Sequence, residues 1–549
     1  MKSLVSSMTI LPKALIAAIV KSVVRCKSLI GLLFSFWTST RPLAPPPSLS
    51  ASATATLPGR SVDDFLAEAE ELILGPYADR DDLLRVSAGL EAQYREALAA
   101  NQWNMLPSYN HRVPSGREKG RFLAIDVGGT TLRIALVELR GRDAPDGTGA
   151  CEILRTSTVR AEEGKALVGM AFFEWMADRI VETVSVDGER WDGRQDEALP
   201  MAVTWSFPID QKSIGTGLIY PMGKGFRAAD GLLGEDLGSV ISRACRSRGL
   251  EVRLQAILND GTACLLSQSY VDPSTRFGLI LGTGSNAAAF LPVSSMDRAK
   301  FGDRPASWFD SARQVVVNTE VSMYGRDVLS LTRWDKELKR AHEKPWFQPL
   351  EHMCSGMYLG ECCRLPLVEA ISRTGIFGGV VPESLRKAYS LQTETLSLVE
   401  SDTSPNFESS ISAFTALHPS SVTPTPDDMR ALKKLASLVT RRSAIIVATA
   451  LFTLWKLRRE LSLEHGEVLA GPGSNADPGR EEVERVVEAE SRRTTVAFNG
   501  AVIESYPGYL EMCQSYIDDL VGEGSRVELS EARNSSLIGA AVAVACEGA

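Results

Sequence analysis

The clearest hydrophobic pattern in the chain is an apolar run that ends at an acid and two glycines. Phe122–Ile125 are apolar, Asp126 and Val127 follow, and Gly128 and Gly129 come next. After the glycines, apolar positions resume in a second run, at Leu132, Ile134, Leu136 and Leu139. This pattern predicts two strands joined by a tight turn, because a helix would space its apolar positions differently.

The turn has residues suited to phosphate. Glycines let the backbone bend so that its N–H groups face an anion, and an acid beside them can face the metal ion that accompanies phosphates. The segment lacks the lysine of the GxxxxGK[ST] loop, so it is a different kind of phosphate turn. Taken alone, a strand followed by two glycines is more often purely structural, and a ligand role needs support from other segments.

Helical periodicity appears in two other regions. Ser61–Asp64 predicts a capping box, and the following apolar positions repeat at helical spacing, at Val62, Phe65, Leu66, Ala69, Leu72 and Ile73. A long helical pattern also runs from Met429 to Leu461. Between them, residues 398–428 are rich in Ser, Thr and Pro without periodicity, which predicts a surface insertion.

Several short motifs accompany the glycine turn in a fixed order. They are residues 204–211 (TWSFPIDQ), 221–226 (PMGKGF), 257–262 (ILNDGT), 278–286 (GLILGTGSN), 318–320 (NTE), 348–351 (QPLE) and 356–361 (GMYLGE). From about residue 60 to the C-terminus, the chain resembles a eukaryotic-type hexokinase, a sugar kinase of the actin-like ATPase superfamily. The resemblance implies an α/β, two-domain actin-like (ribonuclease H-like) fold whose active site lies in the cleft between the domains.

The resemblance also implies a domain division. Residues 1–58 form a basic N-terminal segment and linker, and residues 59–270 form an N-terminal hexokinase region with a small domain mainly at 117–260. Residues 271–549 form a C-terminal region, with the large domain mainly at 261–530 together with 59–116.

Two residues are expected to carry the catalysis. Asp260 follows an apolar strand in an Asn-Asp-Gly context, which by itself usually means a turn. The resemblance instead makes Asp260 the base that accepts the proton of the attacking sugar hydroxyl, as phosphoryl transfer requires. Lys224, between Gly223 and Gly225, is expected to contact the sugar and the transferred phosphoryl group, whose developing charge a lysine can stabilise.

The remaining site residues divide between sugar and nucleotide. A polyol needs partners that both donate and accept hydrogen bonds, and the resemblance assigns the sugar to Ser206, Phe207, Lys224, Asn259, Asp260, Asn286, Glu320 and Glu351. It assigns ATP to Asp126, Gly128, Gly129, Thr130, Thr131, Arg133, Gly282, Thr283 and Gly500. Mg²⁺ is expected to be held mainly through the nucleotide phosphates, with no dedicated metal site in the protein.

Some positions depart from the family pattern. Gly223 replaces a threonine, Thr131 an asparagine, and Val321 and Ser322 a tryptophan and a glycine. Val321 is expected to free volume beside the sugar. Three hypotheses therefore stay open: a glycolytic hexose kinase acting on the 6-hydroxyl of glucose or a related hexose, a kinase for a bulkier sugar such as N-acetylglucosamine, and a non-catalytic sugar-sensing regulator.

Composition and charge limit the kinds of partner that we expect the protein to bind. The chain has 549 residues, 44% of them hydrophobic, and a net charge of −9, so no basic footprint suggests nucleic acid. Nine cysteines without a CxxC pair indicate a reduced intracellular protein without a structural metal site. The sequence leaves open a monomer or a homodimer.

The first 58 residues differ from the rest of the chain. They carry six basic residues and no acid, and their apolar runs are too short to span a bilayer. This composition suits a mitochondrial presequence or a membrane-surface anchor, and the competing interpretation is an extension without a targeting role. We therefore expect a cytoplasmic protein, or one in or associated with mitochondria.

Overall fold

The computed structural model describes residues 60–100, 103–145, 149–185, 198–222, 225–467 and 479–548. Its helices are α1 (Val62–Leu74), α2 (Arg80–Ala100), α3 (Ala161–Lys165), α4 (Met170–Val184), α5 (Leu237–Arg246), α6 (Asp260–Val271), α7 (Ala306–Ser311), α8 (Arg333–Ala341), α9 (Glu351–Cys354), α10 (Gly356–Thr374), α11 (Thr393–Ser401), α12 (Glu408–Leu417), α13 (Pro426–His465), α14 (Arg480–Arg492), α15 (Ala501–Ser505), α16 (Tyr509–Val521) and α17 (Ser535–Glu547). Short 3-10 turns lie at Gly75–Tyr77, Val293–Ser295, Arg298–Phe301, Val321–Met323, Ile376–Gly379 and Glu383–Arg386.

The strands form two large sheets and one small hairpin. They are β1 (Leu106–Pro107), β2 (Gly120–Val127), β3 (Thr131–Leu139), β4 (Cys151–Arg160), β5 (Leu199–Trp205), β6 (Ile209–Gln211), β7 (Gly217–Ile219), β8 (Val252–Leu258), β9 (Thr275–Leu281), β10 (Ser285–Pro292), β11 (Gln314–Asn318), β12 (Thr494–Asn499) and β13 (Val527–Glu531). One sheet has the order β4-β3-β2-β5-β8, the other has β1-β11-β10-β9-β12-β13, and β6 pairs with β7.

The two large sheets repeat one pattern. Each contains an antiparallel hairpin, which is β2–β3 in the first sheet and β9–β10 in the second. The first strand of each hairpin then pairs in parallel with a later strand, β5 or β12, which pairs in parallel with the last one, β8 or β13. The mixed sheets confirm the predicted α/β class, and the hairpin at Gly128 confirms the predicted strand–turn–strand.

Two helices fill the space between the sheets. These helices are α6 and α17, and glycines allow them to pack closely. A Cβ on Gly539 of α17 would lie 2.0 Å from the Ala263 carbonyl oxygen of α6, and a Cβ on Gly278 of β9 would lie 2.6 Å from the Leu265 nitrogen of α6. One hydrophobic cluster joins α6 and α17 to strands from both sheets. The N-terminal ends of these two helices are thereby placed at the junction of the sheets.

A larger core surrounds the long helix α13. Thr425 and Asp428 form a capping box at its start. It is the one helix of the described residues that is long and apolar enough to cross a membrane, but 89% of its most apolar window is buried inside the protein. Its hydrophobicity is therefore that of a core helix.

The expectation for residues 398–428 was wrong in part, because this segment contains α12 as well as the end of α11. Asp402 accepts hydrogen bonds from the backbone nitrogen and hydroxyl of Ser410, and Phe414 is fully buried. Tertiary packing thus forms a helix from Ser- and Thr-rich residues of modest intrinsic propensity. The helix predicted after Ser61 is confirmed, since the Ser61 hydroxyl accepts a hydrogen bond from the Asp64 nitrogen at 3.0 Å.

Candidate functional site

The first glycine hairpin carries an ion pair at its open end. Asp126 lies opposite Arg133 in the β2–β3 register, and Arg133 Nε donates to Asp126 Oδ2 at 2.8 Å. Arg133 Nη2 also donates to the Ser536 hydroxyl at the start of α17, at 3.3 Å. Burial raises the pKa of Asp126 to about 6, although the Arg133 charge opposes the shift, and the negative charge of Asp260 adds to it.

The turn of this hairpin is tight and accessible. The Gly128 nitrogen donates to the Thr131 carbonyl oxygen at 3.0 Å, and a Cβ on Gly128 would lie 3.2 Å from that oxygen. Gly129 and Thr131 are half-buried, while Thr130 is exposed. The predicted nucleotide residues of this segment therefore share one exposed turn beside Asp126.

The second glycine hairpin is held by backbone contacts. The Gly282 nitrogen donates to the Gly284 carbonyl oxygen at 3.0 Å, and the Gly356 nitrogen at the start of α10 donates to the Gly282 carbonyl oxygen at 2.8 Å. Thr283, at the tip, is exposed. Gly500, which has φ of +130°, lies so close that an added Cβ would be 2.4 Å from the Leu281 carbonyl oxygen. The structure thus brings together Gly282, Thr283 and Gly500, three residues predicted for the nucleotide.

Asp260 begins a helix and is not part of a turn. Strand β8 ends at Leu258, and the Asn259 side-chain oxygen caps α6 by accepting from the Thr262 nitrogen at 2.7 Å. The Ser206 hydroxyl donates to Asp260 Oδ2 at 3.1 Å. The Ser206 nitrogen in turn donates to the Val127 carbonyl oxygen at 3.2 Å. Asp126, Ser206 and Asp260 therefore meet at the carboxyl ends of β2, β5 and β8.

The start of α6 also touches the second sheet. A Cβ on Gly261 would lie 3.5 Å from the Ala288 Cβ and 3.6 Å from the Ala288 nitrogen. The small residues at these two positions allow Asp260 to approach the strand that carries Asn286. We refer to the region between the carboxyl ends of β2, β5 and β8 and the ends of β10 and β11 as the groove.

Three polar side chains line the second-sheet wall of this groove. Asn286 Nδ2 donates to Asn318 Oδ1 at 2.8 Å, and Asn318 Nδ2 donates to Glu320 Oε1 at 2.7 Å. Glu320 has a left-handed backbone, with φ of +53°. Burial raises its pKa, which the Asn318 hydrogen bond opposes.

Glu351 joins this wall from the start of α9. Its Oε2 accepts a hydrogen bond from the Ser285 nitrogen at 2.8 Å, beside the second hairpin. Burial raises the pKa of Glu351 to about 7; the Ser285 hydrogen bond lowers it, and the charge of Glu320 raises it further. The predicted sugar residues Asn259, Asp260, Asn286, Glu320 and Glu351 therefore border a single groove.

One predicted sugar residue, Phe207, does not fit this picture. The Phe207 side chain is 5% exposed and packs against Trp205 and Phe226, with ring centroids 5.4 and 5.0 Å away. Its ring supports the core behind the Ser206 loop, because an aromatic side chain gains more from burial there than from facing a polar groove. Lys224, with Gly223, lies outside the described residues.

The expected enlargement of the sugar pocket at Val321 is wrong. Val321 is 4% exposed and belongs to the main core. The cavity it lines measures about 10 Å³ and is otherwise bordered by Leu279, Leu281, Ser285, Ala287, Leu350, Val447, Ala450 and Leu451. A site for one water molecule needs ~10–15 Å³ by this measure, so the cavity has room for one water molecule at most and none for a larger sugar.

The motif analysis missed two site residues. Asn318 connects two predicted sugar contacts, and its place in the same short motif as Glu320 could have indicated a shared site. Ser536 of α17 contacts the first hairpin through Arg133. It also contacts β5, since its carbonyl oxygen accepts from the Thr204 hydroxyl at 2.9 Å. No local pattern marks Ser536, because its partners lie over 300 residues away in the chain.

Within the described ranges, no three His, Cys, Asp or Glu side chains converge as a metal site. The eight cysteines of those ranges are all free, and most are buried.

Comparisons with known proteins agree with this geometry. Two family models, each described as hexokinase, match residues 69–270 and 276–546. Hexokinase-4, chloroplastic, of Oryza sativa subsp. japonica is 28% identical over 471 residues, which cover 84% of this chain and 85% of the relative. Hexokinase-1 of Schizosaccharomyces pombe is 26% identical over 495 residues, covering 89% and 92%.

Solved structures share the fold. A hexokinase from Schistosoma mansoni, complexed with glucose, superimposes with a TM-score of 0.67 at 24% identity. The match covers 88% of this chain and all of that one. This chain therefore has the same overall fold as that hexokinase structure.

Proposed function

This chain belongs to the hexokinase family, and on that premise we propose that its groove transfers the γ-phosphoryl group of ATP to the 6-hydroxyl of a hexose, glucose or a close relative. The observation that carries the proposal is the place of Asp260. It lies close to Asp126 of the first glycine hairpin, and the start of its helix touches Ala288 on β10, the strand of the second hairpin that carries Asn286. A reaction between a polyol and a triphosphate needs this combination of groups in one place.

Asp260 acts as the base in this proposal. Its Oδ2 accepts from the Ser206 hydroxyl, which orients the carboxylate. As the sugar oxygen attacks the phosphorus atom, its proton moves to Asp260 and the bond to the β-phosphate oxygen breaks, releasing ADP. Lys224 is proposed to contact the transferred group, as the family resemblance implies.

The nucleotide would lie between the hairpins. Backbone N–H groups at Gly128–Thr131 and Gly282–Thr283 would hold its phosphates, and Gly500 would approach the adenosine side. Asp126 fits a Mg²⁺ ion that accompanies the phosphates, because its buried carboxylate lies directly before the first turn. Bound there, Mg²⁺ would neutralise charge on the phosphates.

The sugar would lie against the second-sheet wall. Glu320 and Glu351 offer carboxylate oxygens to its hydroxyls, and Asn286 offers its amide. Because the cap of α6 occupies the Asn259 oxygen, Asn259 offers its side-chain nitrogen. Each hydroxyl of a polyol can both donate and accept, so a mixed set of this kind recognises its pattern.

We propose that the two sheets mark two domains that close on the sugar. The smaller would hold residues of about 117–260 with α17, and the larger about 261–530 with 59–116. Closure would exclude the water that competes as acceptor.

The two alternative functions are not favoured. The small cavity at Val321 removes the volume argument for an acetamido sugar. A regulator without turnover would not need Asp126 and Asp260 together at a phosphate turn, yet their charges interact here.

Residues 1–58 lie outside the described residues, and their role rests on composition alone. We propose that this basic segment directs the protein to a mitochondrion or its surface, with the cytoplasm as the alternative. Imaging a fluorescent fusion with and without residues 1–58 tests this, and identical diffuse distributions would refute it.

The proposed activity is tested by ADP release with glucose, fructose, mannose and N-acetylglucosamine. We expect turnover with at least one hexose, and Asp260→Ala should lower kcat by roughly 10²–10⁴-fold because general-base catalysis contributes that much. Asp230→Ala, at an exposed acid paired with Arg227, is the matched control and should retain activity. No turnover with any sugar, or full activity in Asp260→Ala, would contradict the proposal.

A further inference from the structure

Asn318 occupies the centre of the polar wall. It is the last residue of β11 and lies opposite Ala288 in the register with β10. Side chains two residues apart in a strand point to the same face. Asn286, two residues before Ala288 on β10, therefore lies on the same face as Asn318, and the start of α6 approaches this face at Ala288. Glu320 lies beyond the end of β11, and its side chain contacts the Asn318 amide from the other side.

The orientation of the Asn318 amide is determined by its neighbours. Its oxygen accepts from Asn286 Nδ2 at 2.8 Å, and its nitrogen donates to Glu320 Oε1 at 2.7 Å. If the Asn318 amide were rotated by 180°, its oxygen would face the Glu320 carboxylate and its NH₂ group would face the NH₂ group of Asn286. Only the observed orientation therefore satisfies both contacts. Asn286 is fixed in the same way, since its oxygen accepts from the Ala287 nitrogen at 2.7 Å.

This relay determines what the wall offers to a ligand. With Oε1 of Glu320 bound to Asn318, Oε2 is the oxygen that a sugar hydroxyl would meet. With one N–H of Asn286 directed at Asn318, the second N–H of that amide is available to the groove. Glu320 also has a left-handed backbone, which the Met323 nitrogen stabilises by donating to the Glu320 carbonyl oxygen at 2.9 Å.

We propose that Asn318 is a positioning residue for the sugar, which sets the orientation of Asn286 and Glu320 without itself taking part in proton or phosphoryl transfer. The inference rests on the proposed hexose kinase function and adds to it a residue that determines sugar affinity. Its hydrogen bond also favours the ionised form of Glu320, since that contact opposes the rise in the pKa of Glu320 that burial causes. The charge of Glu320 also interacts with two other titratable groups, Glu351 and Tyr324, and raises the pKa of each.

Two substitutions separate positioning from simple packing. Asn318→Ala removes both contacts, whereas Asn318→Asp keeps the acceptor for Asn286 and sets a carboxylate against Glu320. Two adjacent carboxylates share a proton more readily as the pH falls, and the shared proton restores a donor toward Glu320. Gln314→Ala is the matched control, because Gln314 is a buried amide on the same strand that contacts the Glu467 backbone, outside the groove.

The experiment measures kcat, KM for glucose and KM for ATP between pH 6 and pH 8, with calorimetric titration of glucose into each full-length protein. We expect Asn318→Ala to raise KM and Kd for glucose by about tenfold or more, as loss of a hydrogen bond to a charged group implies, with KM for ATP unchanged. Asn318→Asp should be as weak at pH 8 and recover at least severalfold at pH 6, relative to the unsubstituted protein. Gln314→Ala should match the unsubstituted protein in both constants.

Four results would overturn the inference. Unchanged glucose affinity in Asn318→Ala, beside an active parent protein, would refute the positioning role while leaving the kinase function intact. Equal loss of glucose and ATP affinity in Asn318→Ala, or no recovery of Asn318→Asp at pH 6, would indicate a general structural role. A parent protein that neither turns over nor binds glucose would refute the kinase function and this inference together.

Discussion

The two glycine hairpins have the same strand–turn–strand plan, but different forces hold them. The first ends in a partly buried ion pair, Asp126 with Arg133, tied to α17 through Ser536. The second is held by the close approach of backbones, because a Cβ on Gly356 or Gly500 would lie 2.9 or 2.8 Å from backbone atoms of Gly282. An added Cβ on Gly500 would overlap the Leu281 carbonyl group.

Two hairpins of the same plan can thus hold one ligand from two sides by different means. The first hairpin places a charge where a metal ion and phosphates would lie, so its contribution is electrostatic. The second hairpin supplies shape, since a nucleotide can approach a backbone only where side chains are missing. Variants of the first should therefore change catalysis at constant stability, and variants of the second should change stability together with binding.

The largest effect is expected from Asp126→Asn. Removing the charge from the first hairpin should lower kcat/KM for ATP by about 10²–10³-fold, comparable to losing one preorganised electrostatic contact. The melting temperature should not fall, because burial disfavours the ionised carboxylate that the substitution removes. Steady-state kinetics and thermal unfolding provide both values, with Glu138→Gln on β3 of the same hairpin as the control. Near-normal kinetics in Asp126→Asn would remove the distinction between the hairpins.

Gly500→Ala should have the next largest effect. Its φ of +130° and the 2.4 Å approach to Leu281 leave no room for a methyl group, so we expect a loss of about 2–3 kcal/mol in unfolding free energy. Gly508→Ala is the matched control, because Gly508 also has positive φ, +69°, but has no atom near its added Cβ. Denaturant unfolding of both variants measures the difference. Equal losses would show that the close approach of Gly500 to the hairpin does not matter.

The framework of this site could be predicted from the sequence because its motifs are local. The strand ending at Asp126, the glycine turns and the strand before Asp260 depend on nearest neighbours along the chain, and all are present. Long-range packing determined the rest. The sequence pattern could not place Phe207 in an aromatic core, fill the space beside Val321, or form α12 from residues 408–417. Val321 and Ser536 have partners that are distant in the chain, and Asn318 contacts Asn286 on the neighbouring strand. Phe207 and α12 also contact residues nearer in the chain, but only the folded structure brings those contacts about.

The smallest of the three effects is expected from Glu351→Gln, which tests the acid beside the second hairpin. Burial raises the pKa of Glu351 from 4.5 to about 7. In the folded protein Glu351 keeps its proton up to about pH 7, whereas in the unfolded chain it loses the proton near pH 4.5. Its favourable contribution to the free energy of unfolding is therefore complete below about pH 4.5 and is lost as the pH rises through 7. Relative to the natural protein, the variant should gain on the order of 2 kcal/mol between pH 5 and pH 8. Melting temperatures at both pH values measure this gain, and Asp126 contributes equally in the two proteins. A difference that does not change with pH would show that Glu351 has an ordinary pKa.

A crystal structure of the full chain with glucose and a non-hydrolysable ATP analogue tests the shared groove most directly. The account predicts that Asp260 lies within hydrogen-bonding distance of the 6-hydroxyl, with the triphosphate contacting the turns at both Gly128 and Gly282. It would be contradicted by a sugar that lies away from Asp260, or by a nucleotide that contacts neither turn.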